Sequence, residues 1–162
     1  QANVKIHMAT INITELILQI VDEFYPTFQE HHITPEVKIS QNNLFINGDG
    51  QLIARVFDNL LSNAVKYGQG GKKIKIEVIN DEETVTIKIM NYGNPIDSAD
   101  LPYIFDKFYR SDASRSSSTG GTGLGLAIAK NIIQIHNGEI LATSHQDKTT
   151  FIVILHRLHT NE

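Results

Sequence analysis

The chain has 162 residues, 41% of them apolar, with no cysteine and a formal net charge of −4. A single domain suits that length, and the absence of cysteine excludes disulfides and thiolate metal centres. No basic block offers a surface for nucleic acid, and no apolar run approaches the ~18 residues that span a membrane.

Residues 1 to 11 carry no strong pattern and read as a linker. From 12 to 30, Ile13, Leu16, Ile17, Ile20, Val21 and Phe24 recur at helical spacing, with Asn12 or Thr14 placed to cap the helix. Two short strands follow at 36 to 40 and 43 to 47. Gly48-Asp49-Gly50 then punctuates the chain, and Asp49 is a candidate cap for a helix over about 51 to 67. Ile53, Val56, Phe57, Leu60, Leu61 and Ala64 form its apolar face. Asn59 and Asn63, four residues apart, share the other side with Lys66, and Asn63 sits at the edge between the faces.

Gln69-Gly70-Gly71 ends that helix in a flexible turn. Strict alternation through Ile74, Ile76 and Val78, resumed by Val85, Ile87 and Ile89 after Asp81-Glu82-Glu83, predicts an antiparallel hairpin with one buried face. Residues 92 to 121 form a long connection, with a short helical piece near 98 to 108 and serines at 111, 114 and 116 to 118. So long a connection points to a functional lid rather than filler. A second buried helix is predicted over about 122 to 136, ended by Asn137-Gly138, and strands at 139 to 144 and 150 to 157 close the domain. The sum is an α/β fold: a two-layer sandwich with a mixed, mainly antiparallel sheet covered on one face by about three helices.

Gly121, Gly123 and Gly125 alternate at the start of the second helix, with Thr122, Leu124 and Leu126 between and after them. Glycines let a backbone approach a phosphate, and a helix N-terminus attracts its charge. The pattern is neither a Walker loop nor a dinucleotide fingerprint; a flexible hinge before a buried helix is the bland alternative. Asn63 carries a neutral oxygen suited to Mg²⁺, and could equally cap a loop carbonyl. Lys66 can offer charge to phosphate and Tyr67 a flat ring to ribose or adenine, or they are a solvated lysine and a half-buried aromatic.

Asn59-Leu60-Leu61-Ser62-Asn63-Ala64-Val65-Lys66-Tyr67 resembles the asparagine box of sensor histidine kinases, and Gly120-Gly121-Thr122-Gly123-Leu124-Gly125-Leu126-Ala127-Ile128 their second glycine box. Phe105-Asp106-Lys107-Phe108-Tyr109-Arg110 is similar to the phenylalanine box, and Asn91-Tyr92-Gly93-Asn94-Pro95-Ile96 to the first glycine box. The resemblance covers about residues 12 to 158, leaving 159 to 162 as a tail, and in detail is nearest the vancomycin-resistance sensor kinases of the VanS type. It implies a Bergerat ATP-binding fold, ATP and Mg²⁺ as cofactors, and transfer of the γ-phosphoryl group to a histidine on a separate dimerising helical hairpin.

By that resemblance Asn63 is the metal ligand, and Asn59, Lys66, Lys107 and Arg110 serve catalysis. Asn59, Asn63, Lys66, Tyr67, Asn91, Gly93, Ile96, Gly121, Thr122, Gly123, Leu124, Gly125, Leu126 and Thr150 contact the nucleotide, while Phe105 and Phe108 pin the lid. The sequence departs from the family at Asn91, where an adenine-reading aspartate is usual, at Pro95 in place of a glycine, and at Gln146-Asp147-Lys148, a degraded third glycine box. Asn59 stands where gyrase- and chaperone-type ATPases carry a water-activating glutamate, which argues against a free ATPase. A non-catalytic nucleotide-binding module is the other alternative. None of the seven histidines has the acceptor pattern on a helix; His145 imitates its spacing in a predicted turn. The chain therefore reads as a cytoplasmic catalytic domain, monomeric when isolated. Its parent is expected to be a membrane-anchored homodimer that signals to a response regulator.

Overall fold

A computed structural model describes residues 5–68, 70–107, 109 and 124–160. The first difference from expectation is at the N-terminus, where a strand, β1 (Ala9–Asn12), takes the place of the end of the linker. It pairs antiparallel with β3 (Phe45–Gly48) in a small sheet of its own. Neither strand has a long alternating pattern, so this pairing comes from tertiary contact rather than local propensity.

Asn12 closes β1 and caps α1 (Ile13–Glu23), its side chain accepting from the Glu15 N–H at 3.2 Å. The single helix expected over 12 to 30 is two. α1 stops at Phe24, and α2 (Tyr25–Glu30) starts afresh with Pro26 in its first turn. Proline has no N–H to give a preceding turn, but suits the first turn of a new helix.

Asp49 caps α3 (Gly50–Tyr67) by accepting from the N–H groups of Gln51 and Leu52. The apolar stripe of α3 is buried as its spacing demands: Ile53, Val56, Leu60 and Ala64 are all fully covered. The main sheet runs in the order β2-β4-β5-β7-β6. β2 (Thr34–Ile39) lies parallel to β4 (Lys73–Asn80), while β5 (Thr84–Tyr92), β7 (Lys148–His156) and β6 (Glu139–His145) follow antiparallel. Ile76, Ile89 and Phe151 sit side by side across three strands and are buried against the helical layer.

The second predicted helix, α4 (Gly125–Ile135), packs beside α3. It ends in a Schellman turn, with Gly138 N–H bonded to Ile133 O and Asn137 N–H to Gln134 O. Asn137 takes the left-handed conformation, at φ 58°. Gly138 is needed for a different reason, since a Cβ there would lie 2.5 Å from the Ile154 carbonyl oxygen. Among the described residues, the helical piece expected near 98 to 108 is a 3₁₀ turn, Leu101–Tyr103. The fold is the predicted two-layer sandwich, with the small β1–β3 sheet added. Among the described residues no helix is long and apolar enough to cross a membrane.

Candidate functional site

The exposed side of α3, the first turn of α4 and the adjoining ends of β5 and β7 bring most of the predicted residues together. Asn59 and Asn63 are half-buried on α3. Asn59 Nδ2 donates to the carbonyl oxygen of Gly125, 3.1 Å away in the first turn of α4. This bond ties the asparagine helix to the helix that the glycines open. It also fixes the amide's orientation, leaving its acceptor oxygen Oδ1 free of that contact. A Cβ on Gly125 would meet Asn59 Cγ at 3.8 Å, ordinary van der Waals contact, so the approach of the two helices does not itself demand glycine there.

Further along α3, Lys66 Nζ lies 5.2 Å from the centre of the Tyr67 ring, which holds a cation beside a flat surface. Just beyond, three backbones converge. A Cβ on Gly68 would sit 2.5 Å from Ala64 O and 2.9 Å from Asn91 Cβ, and one on Gly71 would sit 2.2 Å from Tyr92 O. Gly93, at φ 143°, is 2.9 Å by the same measure from Tyr67 O. The local sequence marks Gly71 only as part of a flexible turn and gives Gly68 no special place. Both are where the end of α3 and the end of β5 must nearly touch, a requirement with no local sequence signal.

Asn91 ends the buried face of β5 and is 2% exposed. Its Nδ2 is buried without a hydrogen-bond partner among the described residues. Such orphan donors are rare in folded proteins, and this one fits a site completed by a polar ligand. Across the sheet Asn91 pairs with Thr149, whose Oγ1 lies 3.1 Å from Ser144 Oγ. Ser144 in turn accepts from the Ile96 N–H at 2.8 Å, holding Ile96 at the site's rim. Gly93 N–H reaches Asp147 O at 2.8 Å.

Thr150 is placed otherwise than expected. It pairs with Met90, and alternation along a strand turns it to the opposite face of the sheet from Asn91. Thr149 shares the face of Asn91 instead. The sequence hid this because two threonines are adjacent, and a single residue of register decides which of them faces Asn91. Leu124 and Leu126 stand at the start of α4, as expected. Phe105 packs edge-on against Phe151 at 6.1 Å between ring centres, anchoring the connection after β5, and Lys130 Nζ lies 6.0 Å from the centre of the Phe105 ring. Lys107 is exposed in the turn beyond. Gly121, Thr122, Gly123, Phe108 and Arg110 lie outside the described residues, as does much of the expected lid. His145 closes β6 at the hairpin turn, not on a helix.

Among the described residues, no three acidic, histidine or cysteine side chains form a metal cluster. A hard cation here would take its oxygens mainly from phosphate and water, with one neutral amide such as Asn63. That donor set suits Mg²⁺, which keeps waters and favours substrate phosphates.

The profile of the histidine kinase-, DNA gyrase B- and HSP90-like ATPase family matches residues 48–159. The chain is 42% identical over 145 residues to the sensor protein VanS of Enterococcus faecium, covering 90% of this chain and 37% of VanS. It is 38% identical over 144 residues to the sensor histidine kinase WalK of Bacillus subtilis, covering 88% of this chain and 23% of WalK. The chain thus spans little more than a third of the first of these relatives and under a quarter of the second. Among solved structures, the nucleotide-free catalytic domain of the histidine kinase ThkA superposes with a TM-score of 0.82 at 27% identity, over 93% of this chain and 96% of that one.

Proposed function

We propose that this chain, which belongs to the histidine kinase-, DNA gyrase B- and HSP90-like ATPase family, binds Mg-ATP and passes the γ-phosphoryl group to a histidine on a separate helical hairpin. The Asn59–Gly125 bond carries the reading. It joins the helix bearing Asn63 and Lys66 to the helix whose glycine-rich start we assign to phosphate, and it does so through an amide rather than a carboxylate.

The roles follow from the side chains. Asn63 offers a neutral oxygen to Mg²⁺, which when bound would neutralise phosphate charge. Lys66 adds positive charge beside the phosphates and Tyr67 a ring face to the nucleoside. Asn91 and Thr149 form the floor on which the base is read, with Ile96, Gly93 and the glycine-opened turn at Leu124, Gly125 and Leu126 around it. Lys107 and Arg110 are the cations offered to the γ-phosphate. An amide has no basic pKa near neutrality, so Asn59 orients groups and does not activate water. Phosphoryl transfer asks mainly for positioning and charge neutralisation, which this site supplies. An arriving neutral imidazole needs no strong base.

We place the domain on the cytoplasmic side of a membrane-anchored homodimeric sensor of the vancomycin-resistance type, which relays phosphate to a response regulator. The likeness to VanS and WalK supports this. The test is incubation of the chain with labelled ATP, alone and with a purified cognate acceptor hairpin. Slow turnover alone and acid-labile, base-stable phosphate on the hairpin histidine are expected. Brisk hydrolysis without transfer would overturn the kinase reading and favour a free ATPase.

A further inference from the structure

Asn91 is more than a weakened aspartate. A carboxylate offers only acceptors, whereas an amide has one acceptor oxygen and two donor hydrogens. Among the described residues the donor end is the atom left buried and unpartnered. A buried donor with no acceptor is unfavourable, and a nucleobase presenting an acceptor would relieve it.

The base edges make the consequence concrete. Adenine shows an amino donor at C6 and an acceptor at N1. A 6-oxopurine shows the reverse, an acceptor at O6 and a donor at N1–H. An aspartate at this position would accept from the adenine amino group but would oppose the lone pairs of a 6-oxo group. An asparagine amide can accept from the first through Oδ1 and donate to the second through Nδ2, by a half-turn of its terminal group. Paired amide contacts of this kind are how asparagine reads base edges elsewhere. The surroundings leave the amide as reader: Thr149, opposite it, has its hydroxyl within reach of Ser144, and Ile74 on its other flank is apolar.

We propose that Asn91 sets the base selectivity of this site, and that the chain takes 6-oxopurine nucleoside triphosphates as well as ATP. The inference rests on the nucleotide-binding reading above. Calorimetry on the whole chain with Mg²⁺ tests it, using ATP, inosine triphosphate and the purine riboside triphosphate that has neither group at C6. ATP and inosine triphosphate should bind within about tenfold of each other, and both more tightly than the unsubstituted purine. In Asn91→Asp, ATP should bind as well or better, because charge-assisted bonds are stronger, and inosine triphosphate should weaken by about tenfold or more.

ATP binding with inosine triphosphate no better than the unsubstituted purine would overturn the selectivity claim and leave the kinase reading standing. An unchanged preference in a folded Asn91→Asp would do the same. Failure of ATP itself to bind the unaltered chain would overturn both. If circular dichroism shows that Asn91→Asp does not fold, the three nucleotides on the unaltered chain decide.

Discussion

Thr149 and Thr150 are neighbours in sequence with opposite prospects, because a strand alternates its faces. Only Thr149 lies across from Asn91. Thr149→Val should weaken ATP binding about 2–10-fold, the range of one lost hydrogen bond, while Thr150→Val should stay within experimental error. Calorimetry giving the reverse order would return the base-reading role to Thr150. Gly71 supports a second prediction. A Cβ there would lie 2.2 Å from Tyr92 O, backbone that cannot simply swing aside. Gly71→Ala should cost about 1–3 kcal/mol in urea unfolding, and should loosen nucleotide binding because the displaced strand end carries Asn91. Asn63→Ala should remove Mg²⁺-dependent ATP binding with the melting temperature unchanged; an unaltered affinity with and without the metal would refute the ligand role.

The N-terminus of α3 is held by partners far apart in sequence. The Asp49 carboxylate accepts from the N–H groups of His7, Gln51 and Leu52. Those bonds, His7's foremost, hold its pKa below the ordinary value. Asp81 is lowered likewise by the N–H groups of Thr84 and Glu83 in the β4–β5 turn. A depressed carboxylate binds fewer protons folded than unfolded, so its contribution is full above the unfolded pKa and is lost as pH falls through the folded one. Stability from these two groups should therefore be flat from neutrality to the ordinary carboxylate range and decline below it. Denaturant melts of Asp49→Asn should show a shallower acid decline; an identical pH profile would mean the carboxylate is not the titrating cap. His136 completes the arrangement. Its Nδ1 donates to Ile132 O at 2.8 Å, and Nε2 accepts from the Asp49 N–H at 3.0 Å. His136→Ala strands that buried N–H and should cost about 1–3 kcal/mol.

At the scale of the whole molecule, the small β1–β3 sheet ties the N-terminal segment to the domain. Four residue pairs join the strands, Ile11 packs against the core and His7 reaches the cap of α3. Removal of residues 1 to 12 should therefore lower the melting temperature by about 5 °C or more. An unchanged melting curve would restore the segment to the status of a linker. The main sheet provides what the site demands of the whole: the neighbouring inner strands β5 and β7 bring Asn91 and Thr149 to one end of it, where Asn91 meets the end of α3.

Local periodicity determined the helices α1, α3 and α4, the β4–β5 hairpin and the two-layer architecture, because burial on one face imposes a repeat that a sequence cannot hide. Motif order likewise marked Asn59, Asn63, Lys66 and Asn91, whose chemistry is that of their side chains. The break at Pro26 was written in the chain but outweighed by the apolar repeat running across it. What only the tertiary structure decided were relations between distant segments: the β1–β3 pairing, the His136 support of Asp49, the convergence that requires Gly68 and Gly71, and the register that selects Thr149 over Thr150. Each depends on which backbones approach in space, and a single residue of register reverses the face a side chain occupies.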